Sequence, residues 1–168
     1  MEKDIINKVT NSKLEVFDLE DYFPKEEIVA IDISQWLYEG FILREKEFRN
    51  VLKNTDWSHY SGKGIALFCS SDAILPAWAF ALVTTFLQPF AKYIVNGNKE
   101  DYLILAYKTA LDALDYSNYI DKPLILKGCA KKPVPQQIYS LAIQKLMPFA
   151  KSIMFGEACS AVPLYKSK

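Results

Sequence analysis

Residues 56–97 read DWSHYSGKGIALFCSSDAILPAWAFALVTTFLQPFAKYIVNG, and residues 115–156 read DYSNYIDKPLILKGCAKKPVPQQIYSLAIQKLMPFAKSIMFG. Aligned without a gap, the two stretches agree at 14 of 42 positions, among them Asp56/Asp115, Tyr60/Tyr119, Pro76/Pro135, Leu87/Leu146 and the run Pro89–Lys92/Pro148–Lys151. Self-similarity of this length points to one supersecondary unit used twice. In each copy a turn opens with Asp-x-Ser, and an apolar run follows (Ile65–Cys69; Leu124–Lys127). A proline (Pro76; Pro135) then begins a helix, where its missing N–H costs nothing. A second proline, Pro89 or Pro148, stops that helix, and a short strand (Lys92–Val95; Ser152–Phe155) runs into a glycine. Strand, helix, strand at these lengths implies parallel pairing through a right-handed crossover.

Upstream of each copy the apolar spacing predicts a helix. Arg44–Asn54 carries Phe48, Val51 and Leu52 on one face, and Glu100–Leu114 places Tyr107 and Leu111 in register with Phe48 and Leu52. Ile28–Ile33 reads as a strand whose only charge is Asp32. Lys13–Tyr22 alternates apolar and polar, as a strand or extended arm does, and the spacing over residues 2–11 predicts a short helix with Ile5, Ile6 and Val9 on one side. The expected architecture is a single-domain α/β sandwich over residues 1–168. It comprises two tandem α-β-α-β repeats (about 44–97 and 100–156) with a mixed, largely parallel sheet and an N-terminal strand.

The copies differ on one helix face. Gln137, Ser140 and Gln144 make a polar stripe in the second, where the first has Trp78, Ala81 and Thr85 on a helix apolar nearly all round. Such a helix is normally buried on every side. Either residues 1–40 cover it, or it forms a homodimer interface built around Trp78.

Composition narrows the function classes. Hydrophobic residues make up 51% of 168 and aromatics 14%, enough for a packed core. Twenty basic residues balance twenty acidic ones, so there is no electrostatic footprint for nucleic acid or an anionic membrane. The start, MEKDIINKVT, has no apolar segment of signal-peptide length. The longest apolar run, Ala73–Leu87, is too short to span a bilayer. The odd number of cysteines, three, argues against a disulfide framework. The expectation is a cytoplasmic protein with reduced thiols, a protein partner or self-association, and neither nucleic acid nor membrane as a target.

The candidate chemistry lies in the cysteines. The one histidine, His59, sits in a turn where the second copy has Asn118, which fits polar structure better than catalysis. Phosphate-loop and dinucleotide fingerprints are missing. Cys69, Cys129 and Cys159 all fall at or just beyond predicted strand ends, and in open parallel sheets that edge is the usual ligand site. With Asp72 and Glu157 nearby they form a candidate metal set: thiolates with a carboxylate suit zinc, and thiolates suit an iron–sulfur cluster. The spacing matches no metal-knuckle pattern, and buried structural cysteines are the competing account. Cys129 stands in KGCAKKPVP before a helix, where Lys131, Lys132 and the helix dipole would each lower a thiol pKa. That makes it a candidate nucleophile or sulfur carrier. The same loop, with Lys131 and Lys132, is a candidate anion-binding site, against the plainer reading of a turn with solvated lysines.

Several long stretches carry a family resemblance: SKLEVFDLEDYFP (12–24), IDISQWLYEGFILREKEFR (31–49), DWSHY (56–60), KGCAKKPVP (127–135) and KSIMFGEACSAVPLYK (151–166). End to end, the chain resembles an uncharacterised bacterial family, domain of unknown function 2480. The resemblance implies no assigned activity. It implies an accessory role linked to iron–sulfur or thiol metabolism, because members are often encoded near sulfur-mobilising components of iron–sulfur assembly.

Overall fold

The computed structural model describes residues 14–128, 130–157 and 159–168. Seven strands and four α-helices run in the order β1 (Glu15–Asp18), β2 (Ile28–Asp32), α1 (Glu45–Asn54), β3 (Gly64–Phe68), α2 (Ala77–Leu87), β4 (Tyr93–Asn96), α3 (Lys99–Asp112), β5 (Pro123–Lys127), α4 (Gln136–Leu146), β6 (Ser152–Phe155) and β7 (Val162–Lys166) among the described residues. The fold is mixed α/β with largely parallel strands, as expected. The strands divide between two sheets, where a single sheet was expected. The predicted helix over residues 2–11 lies outside the described residues.

The chain divides into two compact units. The first comprises residues up to Phe23 together with Tyr107–Lys168, and the second comprises Pro24–Ala106, so the division falls within α3. In the second unit β2, β3 and β4 form a three-stranded parallel sheet, with Asp32 opposite Phe68 and Leu67 opposite Asn96. Ile65 and Leu67 of β3 pack with Ile31 and Ile33, with Phe48 and Leu52 of α1, and with Ala79, Val83 and Leu87 of α2. The α2 positions recur every fourth residue, so they form one stripe on the helix. Each fully buried Leu, Ile or Val of this cluster contributes roughly 1.5–3 kcal/mol. Trp57 closes the cluster, stacking on Phe86 at 5.8 Å and donating its indole N–H to the Leu52 carbonyl at 2.8 Å.

The opposite side of β3 is organised by a glycine. Gly64 lies against the buried ring of Tyr102, with no room for a Cβ between them. The Tyr102 hydroxyl donates to Glu26 Oε1 at 2.6 Å, and Lys92 Nζ pairs with Glu26 Oε2 at 2.9 Å. Burial and the facing Glu26 carboxylate push the Tyr102 pKa up.

In the first unit the sheet order is β1-β5-β6-β7, with β1, β5 and β6 parallel and β7 antiparallel at the edge. Its core takes Leu124, Ile125 and Leu126 from β5 and Ile138, Ala142 and Leu146 from α4. Phe17 stacks on Tyr22 at 5.3 Å, and Tyr116 stacks on Phe149 at 5.8 Å. The Tyr116 hydroxyl donates to the Leu111 carbonyl at 2.8 Å.

Candidate functional site

At the carboxyl end of β2, Asp32 is both a turn cap and a clamp. Its Oδ1 accepts the Ser34 and Ser70 backbone N–H groups at 3.0 and 3.1 Å, and its Oδ2 accepts the Ser70 hydroxyl at 2.5 Å. Partial burial pulls its pKa up, but the donors from Ser70 and Ser34 outweigh that and hold it at about 2. The carboxylate is committed to these donors. It holds the loop after β3 to the end of β2.

Cys69 follows in that loop. It is half-buried, its Sγ lying 3.3 Å from Ser71 Oγ and 3.7 Å from the Ser71 carbonyl. Asp72 lines a shallow cleft of about 490 Å³ whose other walls are Phe41, Ile42, Leu43, Ala73, Ile74 and Pro76. A metal-binding carboxylate there would stand among aliphatic and aromatic carbon.

The strand ends of the first unit carry a different set. Lys127, closing β5, lies 3.4 Å from Asp18 Oδ2 and 3.7 Å from Glu157 Oε1, and the hydrogen bond with Asp18 leads in raising its pKa. Glu20 accepts the backbone N–H groups of Ala130 and, at 2.7 Å, of Lys131. Lys132 Nζ donates to the Glu20 carbonyl at 3.3 Å and sits 5.4 Å over the Phe23 ring. The Lys131 N–H is the first cause holding the Glu20 pKa below its usual value. The N–H groups proposed to cradle an anion beside Lys131 and Lys132 therefore already hold an internal carboxylate.

Of the sequence-predicted metal ligands, Cys69 and Asp72 belong to the second unit, and Glu157 and the exposed, free Cys159 belong to the first. Cys129, which also carries the nucleophile reading, lies outside the described residues. No group of three or more His, Cys, Asp or Glu side chains capable of holding a metal gathers among the described residues. His59 is exposed, 3.3 Å from Asp56 Oδ2 in its turn.

Sequence reasoning missed the surface around Asp72. Phe41 is 59% exposed, Ile42 50% and Ile74 98%. Tyr38–Ile42 is a tight hairpin, with Glu39 and Gly40 both at positive φ, and this lifts Phe41 and Ile42 outward. The signal was the three-residue apolar run Phe41–Leu43 directly after Gly40. Where the cleft ends at Pro76, α2 begins, and its Trp78 is 37% exposed beside exposed Ala81 and Thr85. Of residues 1–40, expected to cover this face, residues 1–13 lie outside the described residues. On α4 the exposed face is the polar Gln137, Ser140 and Gln144.

These features define a mixed α/β protein of two largely parallel sheets, with carboxylate-clamped loops at the strand ends. The chain belongs to the family described as protein of unknown function (DUF2480), whose model matches residues 3–167. No curated protein and no solved structure matches it. No helix among the described residues is long and apolar enough to cross a membrane.

Proposed function

We propose that this protein is a cytoplasmic accessory protein that works by docking a protein surface on the open apolar face of its second unit. The carrying observation is the exposure of Phe41, Ile42 and Ile74 around the Asp72 cleft, continued by Trp78 on α2. Contiguous exposed apolar side chains of this kind mark interaction sites. By contrast, the conspicuous carboxylates Asp32 and Glu20 are engaged in holding loops. The expected duplication belongs to the same proposal. Two parallels support it: Trp57 and Tyr116 both donate to the carbonyl five residues back, and Asp56 and Asp115 both cap the serine two residues on. On that account the faces of α2 and α4 diverged after the duplication. The test is carbene footprinting of the protein in its own cells and after purification at high dilution. Protection of Phe41, Ile42 and Ile74 in cells is expected, and equal labelling in both settings refutes the reading.

A second reading keeps the thiols. Free Cys159 beside Glu157, at the strand ends that also lead to Cys129, favours ligation of zinc or an iron–sulfur cluster, or sulfur transfer on Cys129. Metal analysis of anaerobically purified protein decides the ligand version: near-stoichiometric metal must vanish in Cys129→Ser. Thiol titration decides the other, which requires a cysteine of low pKa.

A further inference from the structure

We infer that the partner docking on α2 is a second copy of this chain, in a twofold pair of α2 helices crossing antiparallel about Ala81. The inference rests on the docking role proposed above and names its occupant. Charge is the first argument. From Ala73 to Ala91 the sequence contains no ionisable side chain, so α2 itself offers a charged partner nothing to recognise. A second copy of the chain is a neutral partner. Its formal net charge is zero, so two copies approach without the long-range repulsion that keeps strongly charged proteins apart.

Local charge agrees. Beside Trp78 the margin of the face carries both signs in one pair: Arg49 stands 5.5 Å over the Trp78 ring and bonds Glu45 at 2.8 Å. A margin that is neutral as a unit can face its own copy.

Spacing supplies the geometry. Trp78, Ala81 and Thr85 lie at i, i+3 and i+7, one stripe along about 10 Å of helix. A twofold axis between Ala81 and Leu82, midway along the stripe, seats Trp78 of one protomer over Thr85 of its partner, and the small Ala81 lets the two backbones approach. An isologous contact needs this self-complementarity, a large residue at one end of the stripe and a small one at the other. The corresponding face of α4, with Gln137, Ser140 and Gln144, has no such apolar step and serves as an internal control.

The experiment is sedimentation equilibrium of the full chain with three variants. Ala81→Glu sets two carboxylates facing across the axis and is expected to weaken the dimer about a hundredfold or more. The triple change Trp78→Gln, Ala81→Ser, Thr85→Gln gives α2 the polar face of α4 and is expected to yield a monomer that keeps the wild-type far-ultraviolet circular dichroism spectrum and a cooperative unfolding transition. Ser140→Glu is expected to leave the dimer intact. A wild type that stays monomeric throughout, or a dimer that survives Ala81→Glu and the triple change, overturns the inference. Footprint protection in cells combined with a monomer in solution would remove the second copy as occupant while leaving the docking role standing. A photo-cross-linker at position 78 that links only to residues 1–13 of its own chain would remove both.

Discussion

Replacing Gly64 with alanine tests the packing that joins β3 to α3. The glycine's φ lies outside the left-handed region, so the backbone accepts alanine, and in open space the change would stabilise by about 0.4–1 kcal/mol through the unfolded chain. Here the new methyl falls onto Cζ, Cε2 and Oη of Tyr102. That ring cannot swing aside freely, because its hydroxyl holds Glu26, whose side chain is 6% exposed and in turn holds Lys92. Overpacking costs about 1–3 kcal/mol. Losing a hydrogen bond to a charged group costs about 1.5–3 kcal/mol more. A net destabilisation near 3 kcal/mol is expected, which lowers Tm by about 6–12 °C in a domain of this size. Urea unfolding followed by tryptophan fluorescence reads it cleanly, since Trp36, Trp57 and Trp78 all lie in the second unit. A double-mutant cycle gives the decisive number. With Tyr102→Ala already in place the methyl has nothing to strike, so the double variant must be less unstable than the sum by about 2 kcal/mol. A neutral Gly64→Ala, or an additive cycle, refutes the reasoning.

Asp32→Asn removes a charged acceptor of three hydrogen bonds and is expected to cost about 1–3 kcal/mol at neutral pH. Because the folded pKa is depressed, the stabilisation is present above the unfolded value of 3.8 and is lost as pH falls through about 2. Wild-type and variant stabilities must therefore converge over that window in acid unfolding. Alkaline unfolding reports the opposite sign. Burial raises Tyr22 and Tyr116 to about 12, so their contribution is complete below pH 10 and is lost as pH rises towards 12; Tyr116→Phe should flatten that decline. Glu20→Ala should speed hydrogen exchange at the Ala130 and Lys131 amides while leaving β5 unchanged, and unaltered exchange would show that the clamp does not order the loop.

The sequence made some elements legible because their signals are local. In β3, α2, β5 and α4 the apolar spacing and the flanking prolines agree, and each is found within a residue or two of its expected bounds. The contrast between Trp78 and Gln137 was readable as a difference of helix faces. The pairing of β1 with β5, and so the division into two sheets, was not, because no local pattern encodes which distant strand becomes a neighbour. Strand β7 was hidden by Pro163, which argues against a strand except at a sheet edge, and the edge is where β7 lies. Asp32 was visible as the lone charge in an apolar run, whereas its partner Ser70 is 38 residues away. Phe41 and Ile42 look like core residues in sequence; only the hairpin geometry turns them outward.

The order in which the chain is made gives the β1–β5 pairing a further consequence. Glu15 and Lys122, which pair across these strands, are 107 positions apart, and the whole of residues 24–106 is synthesised between them. During translation β1 emerges early and must wait for its neighbour while β2, β3 and β4 already have theirs. Closing so long an interval is a slow, non-local step. The first unit is therefore expected to finish folding last, after the second unit has formed.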